Sequence, residues 1–263
     1  MKEVMYDINS PLIVGILSVL LLLAIEVGFR LGLRINHDVN DSIKSQINTI
    51  QASLLGVLAL LLGFTFSLAL QRYDSRSVAV IDEANSIGTT YLRTELLPEP
   101  IRIKTKELLF RYIELRASAG LESLDQVAVR NDLLRQSQAL HNLLWQQAML
   151  AAAQDPGPVS SGLFIQSLNE MIDAFSTRQA ALDRHVPEVV LFLLLGTLVL
   201  TGSLVGYASG VAGQRASFAT YVLVLLIVLL VFIIIDLDRP RRGLIEIPQD
   251  SILELQKQLS TGN

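Results

Sequence analysis

Residues 54–70 read LLGVLALLLGFTFSLAL, and the charged run QRYDSR follows at once over 71–76. Roughly 20 mostly apolar residues, wound as a helix, cross the ~30 Å hydrocarbon core of a bilayer, and the segment near 52–71 meets that length. One stripe of it is not greasy. Steps of three and four residues pass through Thr49, Ser53, Gly56, Leu60, Gly63 or Phe64, Ser67 and Gln71, while Leu, Val, Ala and Phe66 dominate elsewhere. A lone hydroxyl in lipid loses its hydrogen bonds, so small and polar residues there need protein or water beside them. Two readings follow. The stripe is a packing face against another helix, which spacing alone favours, or it lines a pore. In the second case Ser53, Ser67 and Gln71 are polar ends around a narrow apolar middle at Leu60 and Phe64, which could gate by dewetting.

Composition agrees with a membrane protein. Of 263 residues 51% are apolar and only 17% charged, fewer charges than an ordinary soluble domain carries. Cysteine is absent, which excludes disulfides and thiolate metal sites. The net charge is −4 and basic residues are scattered, so nothing points to nucleic acid. Three further segments have spanning length, near 11–31, 188–209 and 217–236. The first lacks a small-residue cleavage site and runs on through Glu26, Arg30 and Arg34 at helical spacing, so it reads as a retained helix and not a signal peptide. Glu26 and Arg30, four apart, are expected to pair, the other reading being a pore mouth. Gly202, Gly206 and Gly210 share one face of the third span, a ridge that lets another helix backbone come close.

Lys2, Arg72, Arg76, Arg178, Arg184, Arg239, Arg241 and Arg242 collect on one side of these spans, and Arg30, Arg34, Lys44 and Arg215 on the other. The richer side is expected to be cytoplasmic, with both termini and the central region inside. The expected fold is an all-α membrane protein: spans one and two in 1–72, a cytosolic helical domain in 73–186, spans three and four in 187–237, and a cytosolic tail in 238–263. Within the central domain, periodicity predicts a helix from Asp74 to Leu97, stopped by Pro98 and Pro100. Others follow over about 101–119, ended by Gly120, then 123–153 and 159–184, with a DPGP turn at 155–158 and a joint at Pro187. Leu108, Leu109, Tyr112, Ile113 and Leu115 supply one apolar face; Leu133, Leu134, Leu140, Leu143, Leu144 and Met149 are core candidates in the next. Trp145 is expected to anchor this core. Asp82, Glu83 and Arg93 are expected on a solvated or subunit-interface face, the alternative being a charged vestibule.

The string GFTFSLALQRYDSR, with Gly63-Phe64 followed by Arg72 and Arg76, resembles the pore-helix signature of bestrophins. EANSIGTTYLR, LNEMIDAFSTR and DLDRPRRGLI resemble the bacterial bestrophin-like membrane proteins of unknown function. The resemblance covers nearly the whole chain. It implies a homo-oligomer, a pentamer, with intracellular termini in a bacterial inner membrane, each subunit giving its second helix to a central ion pore. Carried onto matching positions, the neck falls at Gly56, Leu60 and Phe64, three residues of the stripe already singled out. Animal bestrophins conduct mainly anions such as chloride, and bacterial relatives can prefer cations. The chain departs from the family's calcium clasp: Asp236, Asp238, Pro240, Gly243 and Asp250 keep only its outline, and Arg241 and Arg242 replace acidity. Calcium wants six to eight oxygen ligands, so no clasp is expected, and these arginines are expected to hold lipid phosphates.

Chemistry of other kinds has little support. His37, His141 and His185 lie in separate regions without a second ligand at i+3 or i+4. No G-x-S-x-G, phosphate loop or dinucleotide fingerprint occurs, so neither an enzyme, a cofactor nor a metal is expected. The expected partners are the lipid bilayer, further copies of the chain and small inorganic ions. The competing reading is a non-conducting membrane scaffold or stress sensor whose cytosolic helices recruit a partner.

Overall fold

The computed structural model describes residues 9–35, 40–122, 126–239 and 244–261. Lys2, His37, Pro240, Arg241, Arg242 and Gly243, named above, lie outside them, as does the start of the expected 123–153 helix. The regular elements among the described residues are helical: α1 (Ser10–Ile35), α2 (Asp41–Arg93), a 3-10 turn (Thr94–Leu96), α3 (Ile101–Leu121), α4 (Val127–Gln154), α5 (Ser161–Leu182), α6 (Glu188–Val211), α7 (Phe218–Asp238) and α8 (Asp250–Thr261). Helices α1, α2, α6 and α7 each contain a stretch long and apolar enough to cross a membrane. Helix α2 continues unbroken for 53 residues, about 80 Å at 1.5 Å per residue. It ends at Arg93, four residues short of the expected Leu97. Its last turn tightens to 3-10, and Leu97 turns extended (φ −88°, ψ 145°), as a residue before proline prefers.

The described helices fall into two compact units, and the division cuts α2 between Arg72 and Tyr73. The first unit comprises Met1–Arg72 and His185–Arg239. Its tightest contact is between α1 and α6, where glycines on both helices remove side-chain bulk. A Cβ on Gly206 would overlap the Ile25 carbonyl oxygen, one on Gly210 that of Phe29, and one on Gly202 the Leu21 side chain. Gly28 and Gly32 of α1 reciprocate against the Ser203 and Tyr207 carbonyls. Lipid tails are as apolar as Leu, so this contact rests on dispersion and close backbone approach. Arg30 donates from Nε to Glu26 Oε1 at 2.8 Å. At the other end of the unit, Asp238 accepts the Val186 backbone N–H at 2.9 Å.

The second unit comprises Tyr73–Arg184 and Pro240–Asn263. Leu109, Tyr112 and Ile113 of α3, Leu144 of α4, and Phe164, Leu168 and Met171 of α5 are sealed in its core, with Trp145 packed partly buried against them. The buried stripe of α4 runs Ser137, Leu140, His141, Leu144, Ala148, Ala151. Leu143 and Met149 sit off that stripe and are exposed, which corrects their placement in the core. Gly120 does not end α3 but lies in its last turn, pressed against the Gln249 side chain. The expected C-terminal tail is, over Asp250–Thr261, helix α8. Its Ile252 is buried with Val80, Ala84 and Ala117, so this stretch belongs to the second unit's core.

Glu83 requires a larger correction. It is neither solvated nor part of an open vestibule but fully buried. Arg116 Nε donates to Oε1 at 2.7 Å, Arg178 Nη1 donates to Oε2, and Tyr112 donates at 3.4 Å. Burial alone would raise its pKa, but the Arg116 and Arg178 guanidiniums more than offset that and hold it below the usual carboxylate range. Arg178 also donates from Nη2 to Gln249 Oε1 at 2.6 Å, tying the start of α8 to the cluster. His141 is boxed between the Tyr112 and Phe175 rings, 4.9 and 5.0 Å away. Its Nε2 is buried with no hydrogen-bond partner. Burial, with the Arg116 charge beside it, pushes this imidazole down to about 4. Asp82 is exposed, and Arg93 donates to the Leu163 carbonyl at 2.9 Å.

Gly206→Ala forces α1 and α6 apart and should cost on the order of 1–3 kcal/mol. Gly196→Ala on the same helix, where an added Cβ meets nothing within 4 Å, should be neutral; thermal unfolding of both in detergent reads the difference. Glu83→Gln leaves two buried guanidiniums without a counter-charge and should cost about 3–5 kcal/mol, measurable by the same assay. Between pH 7 and 5 the unfolded chain protonates His141, whose ordinary pKa is about 6.5, and the folded chain does not. Stability should therefore fall by about 2 kcal/mol as pH drops across that window, and His141→Phe should flatten the fall.

Candidate functional site

The membrane part of α2 has two opposite faces. One is buried in the first unit: Leu58, Leu62, Thr65 and Ala69, all at or below 5% exposure, follow steps of four, three and four. The Thr65 hydroxyl returns its proton to the Leu61 carbonyl at 2.7 Å, so it needs no partner elsewhere. At 3.6 residues per turn, Gly56, Leu60 and Ser67 lie roughly half a turn round the helix from Leu58 and Ala69.

Every residue of the sequence stripe is on that other side. Ser53, Gly56, Gly63, Ser67 and Gln71 are exposed, Leu60 is 58% exposed and Phe64 61%. A Cβ added to Gly56 or Gly63 meets nothing within 4 Å. The Ser53 hydroxyl donates to the Thr49 carbonyl at 2.9 Å, a local bond that leaves its acceptor lone pairs outward. Thus, among the described residues, no helix packs on Gly56, Leu60 or Phe64, and the stripe faces outward. By contrast, Gly202, Gly206 and Gly210 face α1 and not the surroundings.

Below the span, α2 is held by Arg76, which is 2% exposed. Its Nε donates to the Ala181 carbonyl at 3.2 Å and its Nη2 to the Arg184 carbonyl at 2.6 Å. Ala181 lies in the last turn of α5, where a helix has acceptors without intrahelical donors and a partial negative charge, and Arg184 follows two residues beyond its end. The pairing explains the chemistry of the second arginine in GFTFSLALQRYDSR. Sequence spacing could not reveal it, because the acceptors are backbone atoms more than 100 positions away.

The segment compared with a calcium clasp is differently employed. Asp236, Asp238 and Arg239 are buried. Asp238 Oδ1 caps the Val186 N–H, its backbone carbonyl lies 3.2 Å from His185 Nδ1, and Arg239 Nη1 donates to Ser10 Oγ at 3.4 Å. Arg239 is therefore an internal tie, while Arg241 and Arg242, expected to hold lipid phosphates, lie outside the described residues. Asp250 opens α8 in the second unit. Among the described residues no group of three or more His, Asp or Glu is arranged to hold a metal ion.

These features can be set beside known proteins. No curated protein sequence matches the chain. A crystal structure of a membrane protein resembles it over 93% of this chain and 97% of its own, with a TM-score of 0.61 at 15% identity, a likeness of fold alone. The family model of the Bestrophin-like domain matches residues 18–252, a stretch that holds α2 with its outward stripe, the α1–α6 glycine contact and the Glu83 cluster, and so the chain belongs to the Bestrophin-like domain family.

Proposed function

We propose that the protein is a homo-oligomeric, passive ion channel, a pentamer in a bacterial inner membrane, whose pore is lined by α2. The observation that carries this reading is the outward exposure of Gly56, Leu60 and Phe64, half a turn from the face α2 uses inside its own chain. A stripe of small and polar residues left facing lipid would be costly; a water-filled axis shared by several copies removes that cost. Leu60 and Phe64 then form the apolar neck, and Ser53, Ser67 and Gln71 the wetted flanks. Family membership supports the same arrangement. In this reading 73–186 is a cytosolic insertion and both termini are cytoplasmic. The arginine count that orients the chain includes Arg76, Arg178 and Arg239, which end up buried. Insertion reads charge near the span ends before tertiary packing forms, so they still count.

A second reading, the non-conducting scaffold, has one observation in its favour: Leu92 is 72% and Ile103 61% exposed in the second unit, as a partner-binding surface would be. Purified protein in planar bilayers separates the two. Leu60→Ala and Phe64→Ala should each raise single-channel conductance several-fold or abolish closure, while Leu226→Ala, exposed on α7 and away from α2, should leave it unchanged. Silence of the wild-type protein under chloride, sodium and potassium gradients would reject conduction.

A further inference from the structure

Helices α1, α2, α6 and α7 line a cavity of about 90 Å³, partly open to its surroundings at the exposed Leu223, that none of the readings above uses. Leu21 of α1, Leu58 of α2, Leu198 and Val205 of α6, and Val224 and Ile227 of α7 form its wall. Thr201 and Thr220 also border it, but both hydroxyls are already engaged. Thr201 Oγ1 donates to the Thr197 carbonyl at 2.7 Å, and Thr220 Oγ1 pairs with Ser217 Oγ at 3.2 Å. Gln51, half-buried, also lines the cavity and, beside the two threonines, is its polar side chain. A buried water needs two to four polar partners, and an apolar cavity of about 150 Å³ is known to stay dry and to take up benzene or xenon. This wall offers water little.

We infer that this cavity is a binding site for a small apolar molecule, of the size of a single aromatic ring or a haloalkane, reached from the bilayer in which such molecules dissolve. The chemistry follows from the wall: dispersion contacts from a mostly aliphatic lining, no charge, and no free hydroxyl to orient a polar group. The volume also decides against a whole lipid chain. A different, outward groove of about 600 Å³, lined by Ile16, Leu20, Phe192 and Leu200 among others, has the room for lipid tails. Occupancy of the inner cavity does not depend on the protein conducting ions.

The full-length protein in lipid nanodiscs, photolysed with diazirine gas (CH2N2), whose methylene inserts into nearby C–H bonds, and mapped by mass spectrometry, tests the site. Adducts are expected at Leu58, Val205 and Val224 and should be suppressed several-fold by excess benzene. Val205→Phe, which fills the space, should reduce them several-fold, and Leu58→Ala, which enlarges it, should increase them. The inference is overturned if adducts fall only on lipid-facing residues such as Leu20 and Leu200, or if benzene does not compete. It is equally overturned if labelling of the inner wall is the same in the folded variants as in the wild type. Should Val205→Phe fail to fold, benzene competition and Leu58→Ala carry the decision alone.

Discussion

Inside hydrocarbon there is no water to satisfy a peptide group, so every backbone N–H and C=O must find its partner within the helix. That constraint shapes α2, and α2 organises the rest. From Asp41 to Arg93 it has no proline and no break in its hydrogen bonding. Its side chains can therefore divide between two faces without disturbing the backbone. Leu58, Leu62, Thr65 and Ala69 go inward, and Gly56, Leu60 and Phe64 go outward. Where the constraint lapses, beyond the span, the chain turns to other acceptors: Arg76 takes up carbonyls at the end of α5.

The two units are held by different physics. Among the spanning helices, apolar burial yields little because the surroundings are apolar too, and close contact has to come from small residues. Hence the reciprocal glycines: Gly28 and Gly32 on α1 meet the α6 backbone, while Gly206 and Gly210 on α6 meet that of α1. The second unit has an aliphatic and aromatic core of the ordinary kind, with one departure. A single carboxylate, Glu83, is buried with two guanidiniums, and the imidazole of His141 is kept neutral nearby. Such a cluster carries a desolvation cost that the close guanidinium contacts offset, and removal of one partner leaves an uncompensated buried charge. It joins α2, α3 and α5, and through Gln249 it also fixes the chain entering α8.

The spans, the uninterrupted run of α2 and the turn before α3 were legible because each rests on local properties: run length, absence of proline, or Pro98 and Pro100. The stripe on α2 was legible as a stripe, since the 3.6-residue period belongs to the backbone. Core membership in α4 was less legible. Leu143 and Met149 are apolar, but the phase of the buried face is set by where α3 and α5 lie, and it selects His141 and Ala148 instead. Glu83 was misjudged for the same reason, because its partners stand 33 and 95 residues away.

By itself, then, the sequence determined that this chain crosses a membrane on helices, where the long one runs, and which residues share its small and polar face. Only the tertiary structure decided which way that face points. Helical periodicity relates residues of one helix to each other but says nothing of what stands opposite them. With Leu58 and Ala69 buried on one side of α2, Gly56, Leu60 and Phe64 are left facing outward.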